Sequence, residues 1–161
     1  MAYELTEEIK EIINDKNTIA VVSAIGKNGN PYSAVSNKLE VRKDGRLGFY
    51  SLLETSQIQK NLVYSIWFDK KVSISLISKD GRNFQLYVKP YQALIAGREF
   101  EAAYETAIAE FGEDADLSTV WLLDLVSAKE STYKVEKEIE KKEHPYLGHY
   151  DHLPLKEGLK K

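Results

Sequence analysis

The sequence contains no cysteine, and that absence removes disulfides, thiolate metal sites and cysteine nucleophiles from consideration. Methionine occurs once, histidine three times and proline four times in 161 residues. No apolar run approaches the length needed to cross a bilayer. The segment Met1 to Lys10 is polar and acidic, so no secretory leader is expected and the cytoplasm is the default location. Positive charge is not in excess either. The formal net charge is -3, which argues against a nucleic-acid partner, because phosphate backbones reward clustered Lys and Arg.

What remains is ordinary for a folded chain: 43% hydrophobic and 29% charged residues, long enough for one domain with a sizeable core. Leu5, Ile9, Ile12 and Ile13 recur at helical spacing behind a candidate cap, Thr6, and predict a helix ending near Asn17. Thr18 to Ile25 is apolar and β-branched, a buried strand. Asn28-Gly29 marks a turn, Tyr32 to Val41 reads as a second strand, Asp44-Gly45 as another turn, and Leu47 to Leu52 as a third strand. A helix over about Thr55 to Ile66 follows, then a strand in which Val72, Ile74 and Leu76 alternate with serines. Asp80-Gly81 opens a segment from Phe84 to Ala96, where Pro90 predicts a bulge or an edge. A helix over Arg98 to Phe111, a Gly112 cap and a last strand over Val120 to Ala128 complete the series. The pattern predicts an α+β fold, mainly an antiparallel six-stranded split β-barrel with flanking helices.

The most informative feature is the start of the helix after the third strand. There Thr55, Ser56 and Gln57 stand beside unpaired backbone N–H groups, with Lys60 and Asn61 one turn on. Such a helix start is a seat for a phosphate, and at the exit of a hairpin it points to a phosphorylated cofactor at the rim of the barrel. The plainer reading is a hydroxyl cap with a solvated lysine.

In order and spacing, several short motifs resemble the FMN-binding split-barrel family, the pyridoxamine 5′-phosphate oxidase-like proteins. They are Gly29-Asn30-Pro31, Asp44-Gly45-Arg46-Leu47, Phe49-Tyr50-Ser51, Asn61-Leu62, Val72-Ser73-Ile74 and Val120-Trp121-Leu122. The resemblance covers roughly residues 5 to 133, so residues 1–133 are expected to form the barrel domain. Residues 134–161 are expected to add a C-terminal helix and tail packed on a dimer. It implies a homodimer with FMN at the subunit interface and a small-molecule electron donor or acceptor. Ser36, Asn37 and Lys38 would then face the flavin ring or ribityl chain. Tyr50, Ser51 and Leu52 would line the cofactor, and Thr55, Ser56, Gln57 and Lys60 would approach the phosphate. Family members usually carry Lys or Arg just behind the Ser or Thr of this loop, whereas Gln57 and Ile58 stand there here. No arginine follows Arg98, so the resemblance does not extend to oxidation of pyridoxamine phosphate itself.

Three further features have two readings each. Lys38 is either a strand lysine reaching solvent or a partner for the reduced flavin's charge. His144, His149 and His152, with Asp151, invite a metal or haem reading, but the surrounding Pro, Gly and Tyr favour an extended tail on the partner subunit, and no metal site is assigned. Trp67, Phe68 and Trp121 are read as filling the core or a dimer interface rather than stacking on a flavin. Together the sequence supports an FMN-binding oxidoreductase that passes a hydride through bound flavin, with no catalytic side chain named. The alternative is a split barrel that binds or senses flavin or haem without turnover. A deazaflavin would place its phosphate at the same helix.

Overall fold

The computed structural model describes residues 4–144, which hold seven strands and four helices. In chain order these are α1 (Glu7–Asn14), β1 (Ile19–Ile25), β2 (Pro31–Val35), β3 (Leu39–Val41), β4 (Leu47–Ser51), α2 (Gln57–Trp67), β5 (Val72–Ile77), β6 (Asn83–Leu94), α3 (Arg98–Phe111), β7 (Thr119–Glu130) and α4 (Tyr133–Glu143). Thr6 caps α1 as expected, accepting from the Ile9 N–H at 3.3 Å. The helix closes at Asn14, three residues short of the expected end. Pro90 sits at a register shift between β6 and β7, which is how a residue without an N–H is accommodated in a long strand.

The strands form one antiparallel sheet in the order β2-β1-β5-β6-β7-β4-β3. Its two edge strands, β2 and β3, are consecutive in sequence. Seven flat strands at about 4.8 Å spacing would hold those edges roughly 29 Å apart. The chain from Val35 to Leu39 spans at most about 14 Å, so the sheet has to curl until its edges nearly meet. That is the split barrel, and it corrects the expected strand count. The segment read as one strand, Tyr32 to Val41, serves both edges and is broken at Ser36-Asn37-Lys38. Ser36 still donates its N–H to the Ala20 carbonyl at 2.7 Å on one edge. The Lys38 carbonyl accepts from the Tyr50 N–H at 3.1 Å on the other. Asn37 lies between the two ladders.

Inside the curl, Val22, Leu47, Leu62, Ile74, Leu76, Leu86 and Leu123 are wholly buried. Each such side chain contributes about 1.5–3 kcal/mol of hydrophobic stabilisation. Ile9 and Ile13 of α1 and Ile58 and Leu62 of α2 join the same core. Helix α3 packs outside it, resting Ala103 and Ala107 on Tyr50, Val120 and Leu122. Successive residues of β4 thus serve different layers, Phe49 facing the barrel interior and Tyr50 facing α3.

Candidate functional site

At the start of α2 the cap is Ser56, whose hydroxyl accepts from the Gln59 N–H at 3.2 Å. Thr55 lies exposed in the preceding turn. Among the described residues, the N–H groups of Gln57 and Ile58 have no acceptor. Lys60, one turn on, is exposed and has no carboxylate within salt-bridge distance among them. The Ser56 hydroxyl therefore does the capping that the plainer reading assigned to it. The free N–H groups and Lys60 remain available to an anion.

Asn61 fixes this helix start in place. It is 2% exposed, donates to the Ala24 carbonyl at 2.9 Å and accepts from Gln57 Nε2 at 2.8 Å. The β1–β2 turn lies directly on it: a Cβ at Gly26 would come within 2.5 Å of Asn61 Oδ1, so only glycine permits this approach. Gln59, not among the predicted site residues, bridges to the far side. It donates to Thr119 Oγ1 at 3.0 Å and accepts from Trp121 Nε1 at 2.9 Å. Nothing in the local sequence marks Gln59, since both partners lie about sixty residues away along the chain.

The other predicted group gathers at the strand break. Lys38 Nζ lies 2.8 Å from Glu110 Oε1 on α3 and 6.0 Å from the centre of the Tyr50 ring. The Tyr50 hydroxyl donates toward both oxygens of Glu40 at 3.3 Å. Burial, reinforced by the Glu40 carboxylate, pushes the Tyr50 hydroxyl up to about 12. Glu110 was another residue without a sequence signal, because it sits on a helix that reads as ordinary and amphipathic. A cavity of about 560 Å³ opens here, bounded by Asp15, Thr18, Ser36, Lys38 and Glu110. Buried side-chain oxygens without a partner occur, among the described residues, at Thr18, Ser36 and Ser51. Two of those three belong to the predicted set.

Ser36 bonds beside Ala20 and Asn61 bonds beside Ala24, so about 13 Å of strand β1 separates the strand break from the α2 start. Ser51 is the last residue of β4. It pairs with Thr119, which Gln59 holds, and it begins the loop through half-buried Leu52 to α2. Tyr50 is buried beneath α3.

The three aromatics expected in the core or at a dimer interface divide. Trp121 is 1% exposed and fills the core, but Trp67 and Phe68 are 79% and 62% exposed. They sit at the end of α2 on the side opposite Ile58 and Leu62, so they cannot reach the barrel interior. His144 follows α4, its N–H donating to the Glu140 carbonyl at 2.7 Å. Tyr146, His149, Tyr150, Asp151 and His152 fall outside the described residues. Among the described residues no group of three metal-ligating side chains converges, and no helix is long and apolar enough to cross a membrane.

No family model and no curated protein matches the chain. Solved structures do. HupZ of Group A Streptococcus superposes with a TM-score of 0.63 at 15% identity, over 80% of this chain and 95% of that one. An FMN-binding protein from Syntrophomonas wolfei gives 0.61 at 15% identity, over 78% and 84%. HutZ of Vibrio cholerae, a heme storage protein, gives 0.53 at 14% identity, over 80% and 95%. The fold is therefore the split barrel of the pyridoxamine 5′-phosphate oxidase-like proteins.

Proposed function

We propose that the protein is an FMN-binding oxidoreductase of the pyridoxamine 5′-phosphate oxidase-like group, acting as a homodimer. The observation that carries this reading is the pair of unpartnered buried hydroxyls, Ser36 Oγ and Ser51 Oγ, at the strand break and the β4 end of a split barrel. Each such hydroxyl costs about 1–3 kcal/mol, and a bound acceptor would relieve that cost. The α2 start fits the cofactor's phosphate through the Gln57 and Ile58 N–H groups, with Lys60 adding charge and Ser56 holding the turn. Thr55 and Leu52 shape the approach. Ser36 and Asn37 supply polar contacts to the ring or ribityl chain. Lys38 sets a cation beside them, steadied by Tyr50 and shared with Glu110. Flavin supplies hydride chemistry between a small donor and acceptor, and this chain's residues position it without a side-chain acid or base.

The homodimer contact is assigned to the outer face of β2, β1, β5 and β6. Ser33, Ser23, Ser73 and Tyr87 form one cross-strand row there, beside exposed Val35, Ile19 and Ile77. This serine-rich row is uncharged and meets its own copy without repulsion.

A second reading, flavin or haem carriage without turnover, is favoured by the Lys38–Glu110 pair, which neutralises the cation nearest the ring position, and by the fold shared with a heme storage protein. A deazaflavin would use the same helix start. The test is the visible spectrum of the purified protein, followed by titration with FMN and addition of NADH or NADPH. Saturable binding weakened by Lys60→Ala about ten- to a hundredfold, the worth of one charge-assisted hydrogen bond, supports the site. Rapid reduction supports the oxidoreductase, and binding without reduction supports the carrier. Protein that neither retains nor binds FMN removes both flavin readings and leaves haem to be tested.

A further inference from the structure

Helix α2 has two apolar faces, and the barrel uses only one. Ile58 and Leu62 face the core, while Val63, Tyr64, Trp67 and Phe68 line a cleft of about 610 Å³ on the outside. Lys27 and Asn28 of the β1–β2 turn form its other wall, and Lys60 and Gln57 close one end. Tyr64 and Phe68 are already in contact, ring centres 4.7 Å apart and tilted by 35°. That leaves the Trp67 indole free to take a flat partner. No carboxylate lines the cleft, and neither Lys27 nor Lys60 has a carboxylate partner among the described residues. The cavity at the strand break differs on this point, since it holds Asp15, Glu40 and Glu110.

We propose that the outer cleft of α2 is a binding seat for a planar aromatic molecule carrying negative charge, a nucleotide being the simplest example. The ring lies against Trp67 beside the Tyr64–Phe68 pair, and the anion lies toward Lys27 and Lys60. Three properties fit this ligand together. The volume is that of a small-molecule site, the lining is aromatic with few polar groups, and the charge is of one sign. Aromatic faces accept any base, and unpaired lysines supply the charge-dependent part of the affinity. This inference goes beyond the flavin reading and shares Gln57, Lys60 and Asn61 with it. Lys27 and Trp67 therefore test it separately.

Trp67 is also the reporter, because the second tryptophan, Trp121, is 1% exposed. The full-length, flavin-free protein is titrated with AMP, adenosine and ribose 5-phosphate while tryptophan emission is followed. The expected result is saturable quenching by AMP that disappears in Trp67→Phe. Affinity should fall at least about tenfold for adenosine, for ribose 5-phosphate and in Lys27→Glu, the scale of one stacked ring or one ionic contact. Lys27→Gln, which removes charge without reversing it, should give an intermediate loss, and circular dichroism melts should match the parent. FMN that displaces AMP with the same dependence on Lys27 would make the seat general for planar anions and would support the proposal. Absence of saturable quenching at millimolar AMP would overturn it, as would equal responses to AMP and ribose 5-phosphate. Emission that shifts with protein concentration in step with dimerisation would overturn it in favour of a second copy covering the helix.

Discussion

The strand break and the outer face of α2 contain the same ingredients, lysines beside aromatic rings, in opposite states. At the strand break Lys38 is paired with Glu110 at 2.8 Å, and the ring beneath it, Tyr50, is 2% exposed. On α2, Lys27 and Lys60 stand without carboxylates beside a ring that is 79% exposed. In the first region the charges and rings are engaged by α3 and contribute to folding. In the second they contribute little to the fold and stay available to another molecule. The difference lies in what the tertiary structure brings against each group, since residue type is shared.

The tryptophans break this comparison most severely. Trp121→Ala is expected to cost about 3–5 kcal/mol, because it empties the core and strands Gln59, whereas Trp67→Ala stays within about 0.5 kcal/mol. Urea denaturation of the two variants measures both, and a large loss at Trp67 would mean that the helix face is structural. The next effect is a pH dependence. Tyr50 ionises at about 12 when folded against an ordinary value of 10.0, so the folded chain keeps a proton that the unfolded chain releases. Its contribution is complete below pH 10 and is lost as pH rises toward 12, on the order of 2 kcal/mol. Tyr50→Phe should flatten that part of the stability–pH curve.

Asn61→Ala leaves the Ala24 carbonyl without its donor and should cost about 1–3 kcal/mol, read from the denaturation midpoint. It should weaken phosphate binding at the α2 start as well, because Asn61 anchors that turn to β1. The smallest effect is expected from Glu110→Gln. The Lys38 pair is partly exposed, so its loss should change stability by only about 0.2–1 kcal/mol. The freed lysine should raise FMN affinity a few-fold, and an unchanged affinity would separate Lys38 from the cofactor.

Much of the fold was legible because its signals are local. The turns at Asn28-Gly29, Asp44-Gly45 and Asp80-Gly81, the Thr6 cap, the Gly112 stop and the alternation in β5 all lie within a few residues. The helix start at Ser56 was legible for the same reason. Its predicted extent differed by one or two residues, since Ser56 rather than Thr55 makes the capping bond.

The sequence by itself thus determined the order of elements, the hydrophobic positions and a hydroxyl-marked helix start, because each depends on backbone preference and side-chain period over one or two turns of chain. Tertiary structure decided the rest. Breaking the second strand at Ser36-Asn37-Lys38 depends on a sheet curling until two edges meet, which no local window contains. Pairing Lys38 with Glu110 joins residues 72 positions apart. Leaving Trp67 outside while burying Trp121 depends on which face of α2 the barrel accepts, and helical spacing alone offers both faces equally.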